Sequence, residues 1–374
     1  MLTYELILRS MGPKMPSHDQ SSFMPEPIML HSIFISWPDA TRRLKRTSRA
    51  PAPSRRSTRW RCLERPNFGV FALVIGLALL GLSSSIQAES LSLREIATGV
   101  HVHQGVHQLP DPHNRGEIAN IGYIEGERCV AVIDSGGSPD QGLALKRRIE
   151  ASTRTPICYV INTHVHPDHI YGNLAFKSAG VRFVGHHKLG QAMAMRAPYY
   201  TEKASSQLGF QLSPAHFVPP DLPVTDTLDL DLGGRILHLT AHPTAHTDND
   251  LSILDGKTGT LWLGDLLFMG HVPVVDGSLN GWLEEIRKLR GIDAQRVVPG
   301  HGPVVAAWPL ALTGEENYLK MLQTEIRAAI KSGRTMDQAM SEIGRTARPD
   351  WQLFDDFHKR NIATAFAELE WEDK

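Results

Sequence analysis

Between Asn162 and His169 the chain reads Asn-Thr-His-Val-His-Pro-Asp-His, so three imidazoles and a carboxylate fall within six positions. A fold that accommodates this window must give those side chains something to bind, because polar groups buried without partners are costly. The preceding Cys158-Tyr159-Val160-Ile161 is apolar and β-prone, which places the window on a loop leaving a strand. His164 and His166, spaced i, i+2, can be aimed at one ion by an extended loop. Asp168 and His169 are adjacent and can turn toward a second. Neutral imidazole nitrogen and carboxylate oxygen together suit borderline-soft divalent ions, and paired ions a few ångströms apart make a hydrolytic centre.

The rest of the chain sets limits on that reading. Formal charge is −1 over 374 residues, but residues 1–67 hold 12 Lys/Arg against 5 Asp/Glu, a net +7, which leaves −8 for everything after them. An acidic body argues against a nucleic-acid partner, which normally needs a cationic face. Residues 1–67 form a basic leader whose first 60 positions are frequent in Pro, Ser and Arg and show no sustained apolar period; a start annotated too far upstream would explain them. Residues 68–88 contain the uncharged run Phe68 to Leu82, short for a membrane span and suited to a signal-peptide core, with a cleavage point after Ala88. The expected location is therefore periplasmic or secreted, with membrane association only if the leader stays uncleaved.

From Glu89 to Lys374 the sequence alternates β-branched runs with helical stretches, and one α/β domain is the simplest organisation. Strands are predicted at Val100 to Gln104, Ile118 to Ile124, Cys129 to Ile133, Ile157 to Ile161, Arg182 to Gly185, Leu228 to Leu230, Ile236 to Thr240, Asp250 to Leu254 and Thr260 to Leu263. Helices are predicted at Pro139 to Glu150, His186 to Met195, Leu279 to Arg290 and Thr313 to Ser332. In the last, Leu319, Leu322, Ile326 and Ile330 make a core-facing stripe, and Trp351, Phe354, Phe357 and Phe366 are expected to join the same contacts. Cys129 and Cys158 lack CxxC spacing, so they either pair in an oxidising compartment or stay as separate buried thiols.

The motif His164-x-His166-x-Asp168-His169 resembles the HxHxDH signature of the metallo-β-lactamase superfamily, and the rest of that family's pattern follows in order. Ala245-His246-Thr247-Asp248-Asn249-Asp250 is similar to the turn bearing its third histidine. Leu261-Trp262-Leu263-Gly264-Asp265 is similar to the strand ending in its bridging carboxylate, and Pro299-Gly300-His301-Gly302 to the turn of its last histidine. Asp134, in Asp134-Ser135-Gly136-Gly137, resembles the aspartate that supports the ligand loop. The resemblance covers roughly Val100 to Val305. It implies an αββα four-layer sandwich with the site on the seam between two halves. The implied ligands are His164, His166, His169, His246, Asp168, Asp265 and His301. Two Zn2+ are the implied cofactors, with iron or manganese as alternatives.

That family membership would imply a hydrolase whose metal-bridging hydroxide attacks a carbonyl-type small-molecule substrate (thioester, lactone or amide), with Asp168 orienting the water or relaying its proton. Asp265 stands where one lactamase subclass has cysteine and is more like glyoxalase II. The stretch Gly264 to Leu279 resembles exported zinc metallohydrolases of quinoprotein relay and sulfur-oxidation systems, which would make a periplasmic quinoprotein dehydrogenase a partner. Alternatives are a mononuclear iron persulfide dioxygenase, a β-lactamase and a non-catalytic accessory protein. Of the other histidines, His186, His187 and His242 read as supporting or surface residues and His271 as pocket wall. His101, His103 and His107 read as strand residues or a weak adventitious metal site.

Overall fold

The computed structural model describes residues 91–372, all of them within a unit spanning Ser83–Lys374. The leader and the apolar run Phe68 to Leu82 lie outside the described residues. Among those described, no helix is long and apolar enough to cross a membrane.

Thirteen strands among the described residues form two sheets. The first is built in chain order from β1 (Arg94–Ala97), β2 (Val100–His103), β3 (Ile121–Glu125), β4 (Val130–Ile133), β5 (Ile157–Ile161), β6 (Arg182–His186) and β7 (Leu222–Val224). Its opening strands run antiparallel, and pairing turns parallel from β4 onward. Parallel pairing needs crossovers, supplied by α1 (Pro139–Ser152) between β4 and β5 and by α2 (Leu189–Lys203) after β6. The second sheet has β8 (Thr227–Asp231), β9 (Ile236–Ala241), β10 (Leu251–Asp255), β11 (Thr260–Phe268), β12 (Arg296–His301) and β13 (Ala306–Ala307), again side by side in order. Here α3 (Leu279–Leu289) makes the crossover between the parallel strands β11 and β12. The chain ends with α4 (Leu312–Lys331), α5 (Met336–Glu342) and α6 (Phe354–Leu369).

Alternation along the strands explains the stacking. Val100, Val102, Ile124, Ala131 and Ile133 of the first sheet meet Leu237, Leu239, Leu251, Ile253 and Trp262 of the second in one buried core. The outer face of the first sheet packs Tyr123, Val130 and Val132 against Leu145 and Ile149 of α1. That of the second packs Leu261, Leu263 and Val297 against Trp282 of α3, Leu319, Leu322 and Ile326 of α4, and Phe366 of α6. Helix, sheet, sheet and helix are thus separated by three apolar layers, giving the expected αββα sandwich. The predicted stripe on α4 faces its core, with Ile330 at the margin, and Phe354 is buried while Trp351 and Phe357 pack at the edge.

The differences from the predicted elements have local causes. The helix predicted from His186 begins at Leu189 because β6 extends through His186, and it continues past Pro198 to Lys203. The strand predicted to stop at Leu263 runs to Phe268, since Gly264 takes φ +51° and lets the chain pass a pairing irregularity instead of turning. The short β1, β7 and β13 and the six-residue β12 lie outside the predicted strands. Cys129 and Cys158 form a disulfide between the start of β4 and β5.

Candidate metal centre

Each half of the sandwich sends residues to the ends of its strands. In the first half β5 closes on Asn162, whose side-chain amide exchanges hydrogen bonds with that of Asn173. The chain bends through Thr163, His164 and Val165 to an extended His166 and then enters a single helical turn, Pro167–Ile170, where proline at the first position costs no backbone hydrogen bond. The turn swings Asp168 and His169 away from His164 and His166. In the second half His246 sits on the loop between β9 and β10, Asp265 within β11, and His301 at the end of β12. The halves are tied beside the site: Leu251 N–H donates to Thr163 O at 2.8 Å, and Asn120 Nδ2 donates to Pro299 O at 2.9 Å.

All seven residues singled out in the sequence converge. His164, His166, His246 and Asp265 offer one set of donor atoms and Asp168, His169 and His301 a second, each set mutually within 4.8 Å. Asp265 stands between them. Its Oδ2 lies 3.6 Å from His164 Nε2, 3.4 Å from His246 Nε2 and 3.4 Å from His301 Nε2, and its Oδ1 lies 3.2 Å from His169 Nε2. Asp168 Oδ2 is 3.2 Å from His301 Nε2 and 3.5 Å from His169 Nε2. A tetrahedral ion with bonds of about 2.0–2.1 Å has donor–donor edges of about 3.4 Å. The spacing therefore fits metal coordination in both sets. His164 Nε2, His169 Nε2 and Asp265 Oδ1 are also buried without hydrogen-bond partners, which is otherwise costly.

The remaining ring nitrogens of His164, His166, His169 and His246 have partners elsewhere, which orients these four donors, whereas His301 Nδ1 is buried without one. His169 Nδ1 donates to Asp134 Oδ2 at 2.8 Å, His246 Nδ1 to Val274 O at 2.7 Å, and His166 Nε2 to Asp276 Oδ2 at 3.1 Å. Thr163 Oγ1 donates to Asp134 Oδ2 and lies 3.1 Å from His164 Nδ1, while Thr163 N–H donates to Asp134 Oδ1. Asp134 thus organises the whole first loop, and it holds a left-handed backbone, φ +54°, to do so. His301 is held differently: its ring stacks on Phe268 with 5.0 Å between centroids and 9° between planes. Two glycines make the approach feasible. A Cβ on Gly300 would stand 2.0 Å from Asp265 Oδ1, and one on Gly264 would stand 2.6 Å from the Thr163 side chain.

Electrostatics divides the histidines. Burial, helped by the imidazole of His169, drives His164 well below its ordinary pKa, and burial pushes His246 down to about 3. For His169 and His301 burial acts the same way but is outweighed by carboxylates. Asp168, Asp265 and Asp134 hold His169 well above the usual range, and Asp265 with Asp168 raises His301 to about 9. Asp168 and Asp265 stay ionised although burial opposes it, because His169 and His301 face them. Protons here stand in for a cation, so filling the site with divalent ions releases them.

The neighbouring histidines behave as supporting residues. His242 is sealed between Glu285 and Ser252 at 3.0 and 2.7 Å. His186 is buried and stacks on His187. His271 lines the cavity above the site. His101 stacks on Tyr123, His103 bonds Ser92 O and His107 bonds Gln352, so the three turn to separate partners. The sequence reading missed Asp276, the partner of His166, and the cavity residues Arg196, Lys203 and Arg360. Asp276 precedes Gly277 and the N-cap Ser278 of α3, so nothing in its local pattern sets it apart from an ordinary turn.

Comparison with known proteins agrees with this geometry. The model of the metallo-beta-lactamase superfamily matches residues 114–301, just over half of the chain. The chain belongs to that superfamily. It is 25% identical over 198 residues to a beta-lactamase-like protein 2 homolog of Caenorhabditis elegans, covering 52% of this chain and 60% of that protein. It is also 25% identical over 226 residues to a linear primary-alkylsulfatase of a Pseudomonas strain, covering 49% of this chain and 41% of that one. The chain thus spans about four- to six-tenths of the length of these relatives. In fold it resembles a metallo-beta-lactamase from Pontibacter korlensis, with TM-score 0.51, 18% identity and coverage of 62% of this chain and 99% of that one. It also resembles a stereoselective inverting sec-alkylsulfatase from Pseudomonas sp., with TM-score 0.56, 17% identity and coverage of 76% and 51%.

Proposed function

We propose that this protein is a hydrolase of small carbonyl-type substrates (thioesters, lactones or amides), working with two divalent ions, zinc first among them. The observation that carries the reading is the pair of donor sets joined through Asp265. His164, His166 and His246 would hold one ion, Asp168, His169 and His301 the other, and Asp265 both. Bound there, divalent ions supply Lewis acidity and bring the pKa of a coordinated water from about 15.7 toward 7. Asp168, which lines the cavity, orients the attacking water and carries its proton. The His166–Asp276 and His169–Asp134 bonds keep the rings from turning as charge changes at the site.

Export, and service to a periplasmic quinoprotein or sulfur-oxidation system, are part of the proposal. They are supported by the apolar run Phe68 to Leu82 and by the Cys129–Cys158 disulfide, a bond that persists in oxidising compartments. Elemental analysis of the purified protein is expected to give about two metals per chain, and Asp168→Ala to abolish hydrolysis across a panel of thioesters, lactones and β-lactams. A single iron with oxygen consumption on a persulfide would replace this reading by a dioxygenase, and ligand variants that still support a partner dehydrogenase would replace it by an accessory role.

A further inference from the structure

The metal centre opens into a cavity of about 520 Å³, a size suited to a ligand of a few rings. The two donor sets do not choose among carbonyl-type substrates, so selection among them falls to the walls of this cavity. Six ionisable groups of fixed sign line it: Asp168, Asp265, Asp276, Arg196, Lys203 and Arg360. Asp168 and Asp265 belong to the donor sets, which leaves Asp276 alone against three cations. Asp276 already accepts Arg360 on Oδ1 and His166 on Oδ2, and Arg196 Nη2 is only loosely paired with it at 3.9 Å. Lys203 lies over the Tyr199 ring at 5.4 Å and pairs with no carboxylate among the described residues.

Arg196 and Lys203 are seven apart on α2, two helical turns, and therefore lie on one face, with Tyr199 and Tyr200 between them also lining the cavity. Apolar side chains, Leu208, Phe268, Val274 and Phe357, line the same cavity. Three cations against one carboxylate outside the donor sets, with Lys203 paired to no carboxylate among the described residues, stand out in a body that carries −8 beyond residue 67, and such a cleft attracts and orients small anions.

We propose that the substrate is a small organic anion, with a carboxylate or sulfate-type headgroup held by Lys203 and Arg196 and an apolar, ring-sized body lying between the tyrosines and Phe357. This rests on the hydrolase reading for the reaction but not for the binding. The headgroup is the handle, and the bond that breaks is elsewhere in the molecule, toward Asp168. Lys203 is half-buried at the end of α2 and its replacement removes no core contact, so variants there are expected to fold.

The test is calorimetric titration of the metal-loaded protein with naphthalene-2-carboxylate, 2-naphthyl sulfate and neutral naphthalene-2-methanol, at low and raised salt, with metal content measured on the same samples. Both anions are expected to bind, more weakly as salt rises, and the alcohol at least about tenfold more weakly than the naphthoate. Lys203→Ala and Arg196→Ala are each expected to weaken the anions about three- to tenfold, the effect of a charge-assisted bond at a partly exposed site, with metal content unchanged. Tighter binding of 2-naphthyl sulfate, which shares the naphthyl body, than of the naphthoate would assign the headgroup as sulfate-type, and the reverse as carboxylate. Equal affinity for the alcohol, or anion affinity indifferent to both variants because the ions alone hold the headgroup, would overturn the proposal. Loss of metal from the wild-type protein would instead count against the dinuclear reading, and the two failures are separately visible.

Discussion

The two halves of the centre are built on different plans. The first half delivers four of the seven donors from six consecutive positions, and one carboxylate, Asp134, fastens Thr163 and His169 and, through Thr163, His164. The second delivers one donor per element: His246 from a loop, Asp265 from within β11, His301 from the end of β12. Each has its own neighbour: Val274 O accepts from His246, Gly300 leaves the room Asp265 needs, and the Phe268 ring stacks on His301. A contiguous loop can be organised by one buried partner, whereas dispersed donors depend on sheet register. Damage should therefore spread in the first half and stay local in the second, Asp265 excepted because it serves both sets.

The largest effect is expected at that exception. Asp265→Ala should lower retained metal from about two per chain toward none and hydrolysis by more than a hundredfold, beyond the roughly ten- to hundredfold that a supporting partner is worth; elemental analysis after dialysis reads it. Retention of both ions would break the idea that this carboxylate joins the sets. Asp134→Asn comes next. It should weaken metal affinity by about ten- to a hundredfold, and titration with chelator competition should show both ions weakened, because His164 and His169 belong to different sets. Weakening of one ion alone would mean the loop is not organised from a single point. Asp276→Asn should cost about tenfold or less and only for the set containing His166, since Asp276 is 25% exposed at its side chain and water can take its place.

The smallest effect concerns the support of β11. Glu315 of α4 is fully buried, accepts the Phe268 N–H at 2.9 Å through Oε1, and has no partner at Oε2. Burial raises its pKa well above the ordinary 4.5, with only the Phe268 bond opposing. The folded state then holds this proton more tightly than the unfolded one, so the stability it contributes is full below about pH 4.5 and is lost as pH climbs toward the folded value. Glu315→Gln removes that loss. It should raise the melting temperature by about 2–4 °C at pH 8 and leave it unchanged at pH 4; a gain equal at both pH values would show that the carboxyl ionises no differently in the fold.

How much of this was legible in the sequence follows the same division. The first loop announced itself by density, because no structural demand packs three histidines and an aspartate into six positions. His246, Asp265 and His301 were found through resemblance to an ordered family pattern; taken singly, each sits in an unremarkable turn or strand. The α/β mix followed from strand periodicity and apolar runs and the four layers from the family resemblance, while β12 was missed because its Pro-Gly-His ending reads as a turn. Asp276 and the cations of the cavity carried no sequence signal, for they lie 30 (Arg196), 37 (Lys203), 110 (Asp276) and 194 (Arg360) positions from His166.

The sequence alone determined which chemistry was available and where half of it would stand, since local spacing dictates what one short loop can present. Tertiary structure decided the rest. It closed the second donor set, put an aspartate behind His166 and brought Arg196 and Lys203 of α2 and Arg360 of α6 to one cavity, because the distances between residues far apart in the chain are set by how two sheets pack and in what register their strands end.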